Sequence, residues 1–82
     1  MKNIILAQNI NMAKEGLEDL KYHLEVFEIS KPNDMIEQRK EFSNILNTYE
    51  EDLLKQNITL AQVDGILSFV DKTNSLIIKI LT

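Results

Sequence analysis

From Leu60 to Leu81 the apolar residues return every three or four positions: Leu60, Val63, Leu67, Val70, Ile77 and Leu81, with Asn74 alone interrupting the series. That alternation is the period of a helical seam, and a strand cannot carry it. The start of the segment is marked as clearly as its interior. Thr59 and Gln62 have the spacing of a capping box, in which the Thr hydroxyl accepts from the Gln backbone N–H and the Gln side chain reaches back to the Thr N–H. Ile58 and Val63 stand where a hydrophobic staple belongs.

Two further segments read the same way. Leu6, Ile10, Ala13, Leu17, Leu20, Leu24 and Phe27 form a second seam, which predicts helix 1 over about residues 3–29. Lys14, Glu18, Lys21 and Glu25 lie away from it as opposite-charge pairs. Gly16 costs about 1 kcal/mol against Ala inside a helix; it is either a point of close backbone approach or a tolerated surface glycine. Pro32 disfavours helical geometry at Lys31, and Asn33-Asp34 supplies turn chemistry. Asp34 and Glu37 are spaced as a second capping box. Helix 2 is predicted over about 35–56, with Met35, Phe42, Ile45, Leu46, Tyr49 and Leu53 as its apolar stripe. Arg39 falls in that stripe and is expected to lay its stem along it with the head in water. Asn57 is expected to close the helix as a left-handed cap.

Helix 3, over about 60–81, carries more apolar surface than two neighbours need. At 100° per residue its apolar positions span roughly 200°, with Ile80 among those filling the centre, Phe69 and Leu76 on one flank and Ile78 on the other. Tyr22, Val26 and Ile29 make a second apolar patch, away from the helix 1 seam. A buried Asn74 would set register and oligomer state. Alternatively, Thr73 bonds back to the Phe69 carbonyl and Asn74 points outward.

The expected fold is all-α: one domain over residues 1–82, an antiparallel three-helix bundle running up-down-up, with coiled-coil-like seam packing. Apolar residues at 44%, with two Gly and one Pro, fit that class and not a disordered chain. The formal charge of −4 argues against a nucleic-acid partner, which needs a basic face. Without cysteine there is no disulfide framework or thiolate metal site. No apolar run suits a signal peptide or a membrane span, so a cytoplasmic location is expected. Asn3–Gln8 and Asn57–Gln62 nearly repeat, which is read as chance in a biased composition and not as a repeat protein.

Chemistry is thinly represented. His23 is the one histidine, and a metal site needs several converging ligands. Ser43, Ser68 and Ser75 lack a strand-turn elbow to activate them. The run Glu50-Glu51-Asp52 diverges around its helix and reads as a solvated face. Gly16 and Gly65 stand alone, so no phosphate loop exists. No cofactor, metal or catalytic residue is expected, and the chain is expected to be no enzyme. Protein–protein contact of adaptor or inhibitor type is expected instead, with another protein or a second copy, through Phe69, Leu76, Ile78 and Ile80 or through Tyr22, Val26 and Ile29.

The hairpin around Lys31-Pro32-Asn33-Asp34, followed by an amphipathic helix with Tyr49, resembles the small helical proteins of bacterial type III secretion, the needle subunits and their co-chaperones. The resemblance covers about a quarter of the chain and rests on features common to helical hairpins. It implies a structural or chaperone role in such an assembly. Helix 3, with its own cap, departs from that pattern.

Overall fold

The computed structural model describes residues 4–82. It contains α1 (Ile4–Ser30), α2 (Ile36–Leu53) and α3 (Leu60–Leu81), with no strand among the described residues. The expected start of helix 1 at Asn3 lies outside them. The fold is an all-α three-helix bundle, 47 Å along its longest axis.

The seam residues build the core. Ala13, Leu17, Leu20, Leu24 and Phe27 of α1 are buried against Val63, Ile66, Val70 and Ile77 of α3, while α2 adds Leu46 and Leu53. Burying a side chain of this size contributes about 1.5–3 kcal/mol, so the bundle is held mainly by α1 on α3. Because α2 reverses the chain twice, α1 and α3 run parallel. Val70 stands beside Gly16, and Asn74 bonds to both Gly16 and His23. Neighbours across this pair are therefore about 54 residues apart, with each helix advancing 1.5 Å per residue. The near-repeat has the same offset: Ile4–Gln8 and Ile58–Gln62 open the two parallel helices level with one another.

The cap of α3 is as expected. Thr59 is extended (φ −98°, ψ 160°), its Oγ1 accepts from Gln62 N at 3.2 Å, and Gln62 Oε1 accepts from Thr59 N at 2.8 Å. Ile58 is buried beneath it.

The two ends of α2 differ from expectation. Helix 2 spans 36–53, not 35–56, and the Asp34/Glu37 capping box does not form. The N-cap is Met35, in the left-handed region (φ 52°, ψ 40°) and without a side-chain cap. A guanidinium does the work instead. Arg39 Nη2 donates to the Pro32 carbonyl at 2.7 Å and Nε to the Asp34 carbonyl at 3.0 Å. Its carbon lies 5.7 Å from the Phe27 ring centroid. With its side chain only 11% exposed, Arg39 does not hold its head in water; the head is tucked into the turn, with Glu28 3.8 Å away. Both carbonyls turn toward the guanidinium, and Asp34 is exposed.

At the other end Asn57 is not left-handed, since Met35 is the one non-glycine residue with positive φ among those described. Leu54 N donates to the Glu51 carbonyl and Lys55 N to the Asp52 carbonyl, both at 3.1 Å. These tight turns occupy two of the last four carbonyls without a left-handed cap.

Candidate interaction surface

Three parallel or antiparallel rods leave three grooves, and the seam geometry decides which are filled. The α3 flank bearing Phe69, Leu76 and Ile80 turns toward α2. The Phe69 ring meets Tyr49 edge-on at 5.3 Å and Phe42 at 6.3 Å, with interplanar angles of 75° and 65°. Ile80 packs against the core half-buried, and Leu76 lies exposed at the rim. Ile78 is on the opposite flank, roughly 160° around the helix from Leu76. The wide apolar arc of helix 3 is therefore not one surface. Its α2 side is largely covered, and Phe69 is part of the packing between α2 and α3.

The uncovered part is the α1–α3 groove on the side away from α2. Ile78 and Leu60 line it from α3, and Ile5 and Met12 from α1; Ile5 is 61% exposed, Met12 57% and Ile78 44%. Half-buried Leu67 continues the strip. Helical spacing puts Ile5, Met12 and Val26 on one edge of helix 1 but does not by itself join that edge to helix 3. The signal was available in principle. Once two helices are in register, the flank of each that faces away from the third must share a groove.

In the middle of this groove the apolar strip gives way to a polar latch. Asn74 Nδ2 donates to the Gly16 carbonyl at 3.3 Å, and Asn74 Oδ1 lies 2.9 Å from His23 Nδ1. The carbonyl can only accept, so the amide nitrogen must face Gly16 and the amide oxygen must face His23. His23 Nδ1 is then the donor, and the tautomer follows from the network. Asn74 thus points into the α1–α3 contact and not outward. Thr73, one step around, is buried. The latch is possible because Gly16 lets the helices close: a Cβ there would overlap Val70 Cγ1 and lie 3.3 Å from Val70 Cβ. Of the two readings of Gly16, the structure selects close approach.

The Tyr22, Val26 and Ile29 patch is also present, on the side of α1 away from α2, with Val26 two turns beyond Asp19. Tyr22 and Ile29 are exposed, Val26 is half-buried, and the Tyr22 ring sits edge-on to His23 at 5.8 Å. A separate open groove of about 510 Å³ separates α1 from α2. Lys21, Glu25, Glu28 and Lys40 line it with both signs of charge over Leu24 and Leu46.

The residues weighed for chemistry do not converge. His23 bonds to Asn74 and to no hydroxyl, and Ser43, Ser68 and Ser75 are exposed on helix surfaces. In the acidic run, Asp52 pairs with Lys55 at 3.0 Å. Among the described residues, no group of three or more His, Cys, Asp or Glu is placed to hold a metal ion. No helix among them is long and apolar enough to cross a membrane.

Compared with known proteins, the chain matches no family model, no curated protein and no solved structure.

Proposed function

We propose that this protein is a non-enzymatic helical module that works by protein–protein contact of adaptor or inhibitor type, and that its contact surface is the open α1–α3 groove. One observation carries this reading: two helices held in fixed register each leave large apolar side chains exposed on the same side of the bundle. Isolated exposed apolar residues are ordinary, whereas a strip shared by two elements is the form a docking surface takes. The expected helix 3 surface survives in this reading through Ile78, joined by residues of α1. Asn74 supports it from within. A polar residue in an apolar seam costs stability and sets register, and register is what places the two apolar edges side by side.

The test is capture of binding proteins by the full chain from its native cells, comparing wild type with Met12→Glu and Ile78→Glu. Each variant is first checked for helicity by circular dichroism. Both side chains are exposed, so the variants are expected to fold and to lose a partner that Glu18→Lys, on the back of α1, retains. Identical captured sets for wild type and groove variants overturn the reading. Light scattering of Asn74→Leu addresses register separately: species of new molar mass are expected, and an unchanged single species removes that role from Asn74.

A further inference from the structure

We infer that the occupant of the open α1–α3 groove is an amphipathic helix with apolar residues toward its ends and Lys or Arg at its middle. The inference deepens the contact reading above and rests on it. Its new ground is the distribution of charge. Along the groove the order is Ile5 and Leu60, then Met12, then Asp71 and Asp19, then Ile78, taking α3 residues at their levels on α1. All six side chains are exposed. The carboxylates therefore stand between an apolar stretch of Ile5, Leu60 and Met12 and the single apolar residue Ile78.

Among the described residues, no lysine or arginine balances them from the groove walls. On α1, Lys14 and Lys21 project roughly 170° away from the groove, and on α3 Lys72 and Lys79 lie about 100–120° around the helix. The one salt bridge to an aspartate among the described residues is Lys55 with Asp52, at the end of α2. Asp19 and Asp71 make none.

The dimensions suit a helix as occupant. From the level of Ile5 to that of Ile78 is about 20 residues of helix, or roughly 30 Å. The charge selects the sign. A long basic side chain can lay its methylenes over Met12 and bring its cation to Asp19 or Asp71. A second copy of this chain, meeting face to face, would set these aspartates against apolar or acidic surface with no cation supplied. An anionic membrane surface would be repelled.

The test uses two synthetic helical peptides of about 20 residues. Both carry Leu along one face; one has Lys and Arg at the central positions, and the other has Glu there. Binding to the full chain is measured by calorimetry at low and high salt. The basic peptide is expected to bind about tenfold more tightly than the acidic one at low salt, with the gap closing as salt screens exposed pairs. Asp19→Lys combined with Asp71→Lys is expected to reverse the preference, and Met12→Glu to weaken both peptides. If both peptides bind equally and the double reversal changes nothing, the charge assignment is overturned while the contact reading stands. Binding of neither peptide overturns the assignment of a helical occupant, and partner capture by the full chain then decides the contact reading on its own. A dimer of the chain alone that Met12→Glu dissolves gives the groove to a second copy and overturns the inference. Should Met12→Glu fail to fold, the charge-reversed variant carries the test.

Discussion

A methyl group added at Gly16 would be driven into Val70, a stiff β-branched side chain packed between α1 and α3. The same group added at Gly65 would meet nothing within 4 Å. Helix propensity favours Ala at both sites by about 1 kcal/mol. At Gly16 that gain is outweighed by overpacking of about 1–3 kcal/mol and by a widened helix pair that stretches the Asn74 bond to the Gly16 carbonyl. Gly16→Ala is therefore expected to destabilise the protein by about 1–2 kcal/mol, whereas Gly65→Ala stabilises it by about 0.5–1 kcal/mol. Urea unfolding of the two variants reads both, and equal effects would mean that the helices do not touch at Gly16. Spacing alone could not separate these glycines, because both stand inside regular helical runs; the difference lies in which neighbour occupies the space.

At the scale of elements, what was legible followed from periodicity and what was not followed from competition. The three helices, the Thr59 cap and the buried seam could be read directly, since each depends on residues a few positions apart. The start of α2 could not. Asp34 and Glu37 had the right spacing, but Arg39 donates two N–H bonds to carbonyls in the turn, and the loop folds around it at the expense of a left-handed Met35. Two bonds from a charged donor, at about 1.5–3 kcal/mol each, together outweigh the cost of about 1–3 kcal/mol for a non-glycine residue in that region. Arg39→Ala should accordingly cost about 2 kcal/mol. Arg39→Lys should recover only part of it, because a compact ammonium lacks the planar fork that reaches both carbonyls from a position over Phe27. Glu28→Gln, at an exposed carboxylate 3.8 Å away, should change stability little. Thermal melts of the three variants test the ranking; a Lys variant as stable as wild type would show that the paired carbonyl bonds are dispensable. The groove was half legible for a related reason. The apolar edges of helices 1 and 3 were visible, but joining them required the offset between the helices, which the Gly16, Val70, His23 and Asn74 contacts set.

Across the whole molecule, the helices do not share the core equally. Five residues of α1 and five of α3 are buried, against two of α2. The outer helix should therefore open without the other two. Amide hydrogen exchange is expected to be fastest in α2 and its flanking turns, through an opening that leaves α1 and α3 protected; the slowest amides of α1 and α3 should exchange only on global unfolding. Equal protection in all three helices would contradict this.

The parallel pairing of α1 with α3 bears also on how the molecule comes to be folded. Most small helical bundles gain speed from hairpins whose partners are near in sequence. Here the strongest contact joins segments about 54 residues apart, and the hairpins made by short turns are the weaker ones. Loop closure must therefore precede most of the stabilisation. During synthesis α1 would emerge with its apolar seam uncovered, α2 would shelter little of it, and burial would wait for α3. The most persistent contact in the finished protein would then be the last to form.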